Sequence, residues 1–498
     1  MHRLRSWFGV VALLVLAGMG CHDVHLDFDT HESEIVLFDD LYSVSVVDDQ
    51  HAVAVGYYGT VYWTENGGEQ WQRGRTDVLT PLYSVSMADP EVGWAVGQRG
   101  LILRTEDGGR NWTRQPNLKE TEGAHLFGVT AIDGQRAIVA GEWGTRLLTE
   151  NGGQTWVDNS FKVDQQHPMF VWLSTEDQEK IREGGTVYDD VGVNDIHCLG
   201  NGSERCWLVG EFGYIFYSED AGKTWQPSSI EGSMELDPFK LGYNELRVDE
   251  SEEGKLRVFA DGIKDEGHLN VAIEAVASAE EIAAFGGADD PYPLFEILEA
   301  RISEVRIVLE DAGLPTERVR ERGRPPWDYE DYLDDDPEFL QRYLDGREHP
   351  TPGVKVRVIQ NPVLFTVRFR DQDNGMIAGL GGVILASDDG GKSWEYRKTD
   401  RTQAIFSVDS LPGRAVAVGE KGLVRTSTDE GRSWAEPGES DFPVVFTYMR
   451  DLGFARSGKV GFIVGQTGQI LRSTNAGIGW EQVLPPPDRV MGMTADSS

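Results

Sequence analysis

The sequence predicts an all-β protein, a seven-bladed β-propeller with a mainly helical insertion between blades four and five. Two observations lead to this fold class. A frame of Gly-x-x-Gly, a short apolar run, a polar turn and Trp occurs seven times with the same offset from the first Gly to the Trp. Each copy follows two segments in which apolar and polar residues alternate, as in half-buried strands.

The first copy reads GYYGTVYWTENGGEQW, and the constant register over all copies rules out coincidence. Internal repeats decide the architecture of a chain of this length. The seven copies occupy residues 56–71, 97–112, 141–156, 210–225, 379–394, 419–434 and 465–480.

Each repeat predicts four short antiparallel strands, here named a to d. In the second repeat, strand a covers residues 82–87, strand b 93–97, strand c 101–105, and strand d starts at 112. Four-stranded units of this size, repeated four to eight times, are typical of β-propellers. The sequence leaves open whether the ring closes through a strand from residues 33–38 or through complete first and last blades.

The turn between strands c and d resembles the Asp-box of sialidase-type and related propellers. Its Asp or Asn can bond backbone N–H groups and hold a turn, its Gly supplies positive φ, and its Trp packs between sheets. We therefore interpret these acids and amides as turn formers rather than as catalytic pairs or metal ligands. They are Asn66, Asp107, Asn151, Asp220, Asp389, Asp429 and Asn475.

Two insertions interrupt the regular spacing, at residues 157–192 and 227–362. The second predicts helices over residues 269–286, 293–313 and 337–344, with Ile297, Leu298, Ile302, Val305 and Leu309 on one helical face. Its Pro-rich acidic loop is either a solvated connector or a contact loop built on Trp327, Tyr329 and Tyr332.

Topology predicts one functional face. In an antiparallel meander the b–c turns and the d-to-a connections share one end of the strands, and the Asp-box turns occupy the other. Both insertions are d-to-a connections, so they leave from the face of the Gly-x-x-Gly turns, where binding residues usually concentrate. The candidates are Tyr57, Tyr58, Arg99, Glu142, Trp143, Glu211, Phe212 and Lys421, with Trp143 and Phe212 foremost.

The N-terminus predicts export. A basic start, an apolar run and small residues precede Cys21, which resembles the lipidated cysteine of a bacterial lipoprotein signal, although Gly18 and Met19 depart from that pattern. His22 follows the cysteine, and the absence of Asp there leaves an outer-membrane location open. The expected product is a cell-envelope lipoprotein of the outer membrane or periplasm, or a surface protein.

The predicted organisation follows from these features. It comprises a signal peptide at 1–21, a tether at 22–37, blades one to four at 38–226, the acidic insertion at 227–362, blades five to seven at 363–485 and a tail at 486–498.

Cys198 and Cys206 flank the turn between strands a and b of the fourth repeat. An exported compartment permits a disulfide between them, and two buried thiols are the alternative.

The net charge of −37 disfavours nucleic acid and anionic lipid surfaces as partners. No zinc-type spacing, phosphate-binding loop or nucleotide fingerprint occurs, so we expect no metal, no cofactor, and membrane contact only through a lipid anchor. The oligomeric state is not predicted.

The segment GWAVGQRGLILRTEDGGRNWTRQ (residues 93–115) and its recurrences resemble the photosystem II assembly and stability factor family. The resemblance covers the repeats and not the long insertion. It implies a seven-bladed Asp-box propeller without catalysis that binds a membrane-protein assembly intermediate. A role in photosystem II itself does not follow, and no family binding motif transfers to individual residues here.

The competing hypothesis is a sialidase-like glycoside hydrolase. Sialidases also carry Asp-boxes, but they need an Arg-Ile-Pro near the start, which is absent. No pair of carboxylates stands out as the two that glycosidases use, and xyloglucanase-like enzymes use two propellers where this chain has one. We therefore expect a binding scaffold in the envelope, with a protein partner.

Overall fold

The computed structural model describes residues 34–118, 123–164, 175–189, 191–200, 202–230, 246–248, 250–264, 269–276, 281, 284–285, 292–322, 353–360, 362–397, 399–438, 441–486 and 489–492. This chain divides into two compact units, residues 38–486 and the two terminal segments. In the terminal unit, strand Glu34–Leu37 pairs antiparallel with Arg489–Gly492.

The larger unit contains seven consecutive antiparallel sheets, which confirms the predicted propeller. Strands a to d follow one another in six of these sheets, and strands a to c do so in the sheet of blade six. The a strands are Leu41–Val46, Leu82–Met87, Leu126–Ala131, Val193–Cys198, Leu364–Phe369, Ile405–Leu411 and Met449–Phe454. The b strands are Ala52–Gly56, Gly93–Gly97, Ala137–Gly141, Cys206–Gly210, Gly375–Gly379, Arg414–Gly419 and Gly461–Gly465.

The outer half of each blade is shorter. The c strands are Val61–Thr64, Ile102–Thr105, Arg146–Thr149, Ile215–Ser218, Ile384–Ser387, Val424–Ser427 and Ile470–Ser473. The d strands are Gln72–Arg73, Thr113–Arg114, Val157–Asp158, Gln226–Pro227, Ser393–Tyr396 and Glu481–Val483. In blade six a single bridge between Thr426 and Ala435 takes the place of strand d. Blade five gains a parallel strand, Ser229–Ile230, beside its strand d.

Burial follows this order of strands. Strand b is buried along its whole length in six blades, as in Ala52–Gly56, and in blade six it is buried except at its first residue, Arg414. Strand d is short, polar and exposed in blades one and two. Short polar edges of this kind discourage pairing with other chains.

The ring of blades closes between two complete sheets, blades one and seven. Leu41 and Tyr62 of blade one share a buried cluster with Phe462 and Val464 of blade seven. The Trp71 and Phe462 rings meet edge to face, with centroids 5.3 Å apart. The strand Glu34–Leu37 contributes to none of the seven sheets, because its pairing is with Arg489–Gly492.

The innermost strands are joined by side chains that accept backbone N–H groups of the next blade. Ser43 Oγ accepts from Val85 at 3.3 Å, Ser84 Oγ accepts from Val129 at 3.3 Å, and Ser407 Oγ accepts from Leu452 at 3.1 Å. A carboxylate does the same at two boundaries, where Asp195 accepts from Val367 and Asp451 accepts from Val44. A shared position on strand a therefore holds neighbouring blades in register.

The Asp-box residues make the contacts of a turn. In blade two, Thr105 Oγ1 donates to Asp107 Oδ1 at 3.0 Å, and the same carboxylate oxygen accepts the Asn111 N–H at 2.8 Å. Trp112 Nε1 then donates to Gly109 O at 3.0 Å. In blade six, the hydroxyl and N–H of Ser433 lower the pKa of Asp429 to about 2.

Cys198 and Cys206 form a disulfide between directly paired residues of strands a and b in blade four, with a Cα–Cα distance of 4.1 Å.

The second insertion contains helices and a sheet with a core of their own. Helix α1 (Thr175–Arg182) belongs to the first insertion, whereas α2 (Glu250–Ile263) and α3 (Tyr292–Asp311) belong to the second. A three-stranded sheet has Leu269–Val276 at its centre, with Val319–Arg322 parallel and Gly353–Gln360 antiparallel to it. The helices and this sheet share one buried apolar cluster.

This insertion corrects one prediction and confirms another. The helix predicted over 269–286 is wrong for its first half, which is the central strand Leu269–Val276. The helix predicted over 293–313 is present as α3, and all five residues predicted on its inner face are buried. The predicted helix at 337–344 lies outside the described residues.

Candidate functional site

The two glycines of the Gly-x-x-Gly turn meet different steric demands. The first, Gly56 in blade one, has an extended backbone, and a Cβ there would lie 2.0 Å from Asp40 O on the way into strand a. The second, Gly59, has φ of +70°, and its Cβ would lie 2.2 Å from Val78 O. The two glycines therefore let the turn pack closely against the segment that enters strand a and against the segment that follows strand d.

Hydrogen bonds place the b–c turns and the d-to-a connections on one face, here called the turn face. In four of the turns the second glycine donates its N–H to the connection that enters the next blade. Gly100 donates to Ala124 O at 2.7 Å, Gly144 to Val191 O at 2.6 Å, and Gly213 to Pro362 O at 2.8 Å. Val191 and Pro362 lie at the ends of the two insertions, so both insertions return to the turn face.

The residue before that second glycine has a left-handed backbone in most blades. Its φ is +52° at Tyr58, +54° at Arg99, +55° at Trp143, +53° at Lys421 and +58° at Thr467. Blade five has Gly381 at this position. A non-glycine residue in this region is held at a cost of about 1 kcal/mol. Large side chains at strained turn positions favour a role outside folding.

The predicted aromatic candidates are exposed. The exposed fraction is 39% for Tyr57, 44% for Tyr58 and 50% for Trp143. The Tyr57 and Tyr58 rings contact each other edge to face, with centroids 4.4 Å apart. Phe212 lies in a described turn, but its side chain is outside the described part, as are Trp327, Tyr329 and Tyr332.

The charged candidates differ in how they are held. Glu142 accepts the His125 N–H at 2.8 Å and Glu211 accepts the Gly192 N–H at 3.2 Å, so both carboxylates hold the entry to strand a. Arg99 is exposed, and its backbone N–H donates to His125 Nδ1 at 3.1 Å. Lys421 is exposed and pairs with Glu420 at 3.2 Å, which raises the pKa of Lys421.

Sequence reasoning missed four apolar residues of the turn face, all of them exposed. Leu79 is 81% exposed, Leu380 52%, Val444 81% and Phe446 84%. Leu380 belongs to a b–c turn and the other three to d-to-a connections. The signal was present in the apolar connection DFPVVFTY, which is longer and less polar than a simple link requires.

Aromatic side chains surround the mouth of the central channel on the turn face. They occupy the second position of strand a, near the end where the chain enters from this face. The residues at this position are Tyr42, Tyr83, Phe127, Asn194, Phe365, Phe406 and Arg450, here called the collar. Neighbouring collar rings touch, with centroids 5.8 Å apart for Tyr42 and Tyr83 and 5.6 Å apart for Phe365 and Phe406. All seven are partly exposed.

An ionic cluster lies deeper in the channel. The Arg368 guanidinium contacts Asp195 of blade four and lies 3.4 Å from Asp451 of blade seven. Burial raises the pKa of Asp409 to about 6, although the Phe454 and Ser410 N–H groups and Arg368 oppose this shift. Burial and the nearby Arg368 charge lower the pKa of His197 to about 3, so this imidazole is neutral at pH 7.

Within the described residues, no group of three or more His, Cys, Asp or Glu side chains is arranged to hold a metal ion. No described helix is long and apolar enough to cross a membrane.

Comparison with known proteins identifies the family that the chain resembles. The family model "Photosynthesis system II assembly factor YCF48" matches residues 27–165 and 349–440, and a BNR/Asp-box repeat matches residues 216–227. The predicted family resemblance is confirmed. The family model leaves out residues 166–348, which contain blade four and most of the second insertion. The match favours a propeller scaffold over a catalyst. No curated protein sequence matches the chain.

The structure is similar to several solved structures at low sequence identity. "YCF48 bound to D1 peptide" is 15% identical, with 89% of this chain and 96% of that chain covered and a TM-score of 0.47. YCF48 from Cyanidioschyzon merolae is 14% identical, with coverage of 89% and 98% and a TM-score of 0.48. The GH74 xyloglucanase from Xanthomonas campestris is 10% identical, with coverage of 90% and 55% and a TM-score of 0.48.

Proposed function

We propose that this chain is a non-catalytic scaffold of the cell envelope that binds another protein through its turn face. One observation carries the proposal, the concentration of exposed large apolar side chains on that face. Seven of them lie there: Tyr57, Tyr58, Leu79, Trp143, Leu380, Val444 and Phe446. Exposed apolar groups gathered on one surface mark interaction sites, and aromatic side chains are enriched at the centres of protein interfaces.

The opposite face supports the assignment by contrast. Among the described Asp-box turns, Ile478 is the one large apolar side chain that is strongly exposed. The family match adds that propellers of this kind are named for assembly rather than for a reaction. Export, lipidation at Cys21 and the envelope location belong to the proposal and rest on the N-terminal sequence.

Site-specific crosslinking in the native host tests the proposal. A photo-reactive amino acid replaces Trp143 or Phe446 on the turn face, and Ile478 on the Asp-box face as the matched control. We expect one defined protein to crosslink from both turn-face positions and not from Ile478. Crosslinking from Ile478 alone, or from no position, would contradict a partner on the turn face.

Trp143→Gly separates binding from folding. Glycine removes the strain of the left-handed backbone in the folded protein, which stabilises it, but it also raises the conformational entropy of the unfolded chain, which offsets part of that gain. We therefore expect the free energy of unfolding to stay constant or rise by up to about 1 kcal/mol. Capture of the partner should fall by about tenfold or more, as for loss of an interface anchor. Denaturant unfolding and crosslinking yield measure the two effects. A variant that keeps full capture would remove Trp143 from the binding surface.

A further inference from the structure

Arg450 breaks the pattern of the collar. Five blades place an aromatic ring at this position of strand a, the fourth blade places Asn194, and the seventh places an arginine. The charge therefore stands at the channel mouth, where the repeat otherwise supplies aromatic rings.

Three aromatic side chains hold the guanidinium in place. Its central carbon lies 4.9 Å from the ring centroid of Phe406, 5.2 Å from that of Tyr448 and 6.0 Å from that of Tyr42. Cation–π contacts at such distances restrict the side chain without neutralising its charge.

The guanidinium of Arg450 has a hydrogen-bond donor without a partner. Its Nε is buried and has no hydrogen-bond partner. Within the described residues no carboxylate forms an ion pair with it, whereas Arg368 lower in the channel pairs with Asp195 and Asp451. The deeper cation is neutralised, and the one at the mouth is not.

We propose that the channel mouth binds a carboxylate of the partner polypeptide, which pairs with Arg450 while apolar residues beside it pack on the collar. This inference rests on the proposed function. The planar guanidinium matches a carboxylate through two parallel N–H···O bonds. Exposed Leu380 and Phe446 on the same face favour a polypeptide with apolar residues over a free small anion.

Recognition at this site is local rather than long-range. The net charge of −37 repels an acidic ligand at a distance, so its association should become faster as salt screens that repulsion. The pair with Arg450 acts after contact, between partly desolvated groups.

Peptide selection tests the inference. Short random peptides, displayed with either a blocked or a free C-terminus, are selected on the full-length protein. The recovered peptides are synthesised and titrated against the wild type, Arg450→Gln, Arg450→Lys and Arg432→Gln. Arg432 is exposed in the Asp-box turn of blade six, so its variant is the matched control. Thermal unfolding of each variant checks its fold.

We expect recovered peptides to share a carboxylate flanked by apolar residues. Arg450→Gln should weaken their binding by about tenfold or more, Arg450→Lys by less, and Arg432→Gln not at all. Replacing the acidic side chain by its amide, or amidating the C-terminus, identifies which carboxylate binds.

Two outcomes would overturn the inference. The first is recovery of peptides that share no carboxylate, and the second is peptide binding that Arg450→Gln leaves unchanged. Either outcome would reject the carboxylate site, while crosslinking from the turn face would still support the proposed function. Loss of crosslinking from Trp143 and Phe446 together with failure of selection would reject both.

Discussion

At the scale of single residues, Arg146 is the most unusual side chain of the propeller core. The first position of strand c is Val or Ile in the other six blades, as at Ile102 and Ile215. Arg146 is 5% exposed, its guanidinium lies 3.6 Å from the Phe161 ring centroid, and its Nε and one terminal nitrogen lack hydrogen-bond partners. Burial lowers its pKa to about 9.

Replacing this arginine should stabilise the propeller. Removal of a buried charge without full pairing is worth roughly 1–3 kcal/mol, so Arg146→Ile should raise the free energy of unfolding in denaturant titrations. The reverse change, Ile102→Arg in blade two, is the matched control and should destabilise. A less stable Arg146→Ile variant would show that stacking on Phe161 outweighs the cost of burying the charge.

Asp409 makes stability depend on pH in the opposite sense to a carboxylate whose pKa is lowered by folding, such as Asp429. Its pKa is about 6 in the folded protein, against about 3.9 in the unfolded chain. The folded state binds more protons between these values, so stability from this group falls as pH rises from about 4 to 6. We expect Asp409→Asn to be more stable than the wild type at pH 7.5, by about 1 kcal/mol after allowance for partial exposure.

Unfolding titrations at several pH values measure this difference, which should vanish near pH 4. The control is Asp429→Asn. Because the Asp429 carboxyl has a lowered pKa in the folded protein, this substitution should change only the acidic part of the profile of stability against pH. A constant difference for Asp409→Asn at every pH would refute the shifted titration.

At the scale of elements, Arg318 ties the second insertion together. Its guanidinium donates to Ile263 O and Lys264 O at the end of helix α2 and to Leu269 O at the start of the central strand, at 2.7–2.8 Å. Positive charge at a helix C-terminus also interacts favourably with the helix dipole.

Arg318→Ala should loosen the insertion and spare the blades. Amide exchange in Glu250–Ile263 should become at least about tenfold faster, while exchange in Gly93–Gly97 stays unchanged. Arg257→Ala is the control, because Arg257 pairs on the same helix with Glu253 near solvent. Equal acceleration in both segments would mean that the insertion and the propeller unfold as one unit.

The elements differ in how far the sequence determines them. The seven blades were predictable because each turn is fixed by residues within it, such as the Thr105–Asp107 hydrogen bond. In the insertion, Val271, Ile273 and Ala275 alternate as a strand does, but the Ala and Glu that follow them favour a helix by propensity. Helix α2 was missed although Leu256, Phe259, Ala260 and Ile263 have helical spacing, because Gly254 and Gly262 weaken the pattern.

The site was predictable only in part. Alternation of turns placed the turn face correctly and singled out Tyr57, Tyr58 and Trp143. The collar needed all seven a strands to be compared at one position, and neither Arg450 nor its neighbour Tyr448 belongs to a motif. That Glu142 holds a backbone N–H depends on the path of the following connection, which a local pattern does not encode.

At the scale of the whole molecule, Asp451 links four blades. Its carboxylate accepts hydrogen bonds from Ser43 and Val44 in blade one and from Ser407 in blade six, and it lies beside Arg368 of blade five. Asp451 therefore stabilises both the boundary between blades seven and one and the boundary between blades six and seven.

Removing this carboxylate should weaken the entire ring. We expect Asp451→Ala to lower the free energy of unfolding by about 3–5 kcal/mol, since it leaves N–H groups and Arg368 short of partners, and Asp451→Asn to cost less. Asp388→Ala, in an exposed turn, is the control. Denaturant unfolding gives the values, and a loss below about 1 kcal/mol for Asp451→Ala would mean that water replaces the carboxylate.

The complete first and last blades have a consequence for how such a ring changes during evolution. Each of the seven sheets takes its strands a to c from one continuous segment of the chain. One segment of sequence therefore encodes one blade. Duplication, exchange or circular permutation at a blade boundary would leave every sheet complete. In a propeller whose ring is closed by a strand from the other terminus, the same change would remove the closing strand from its sheet. Insertions at such boundaries, as after blades three and four, interrupt no hairpin and so leave the underlying symmetry intact.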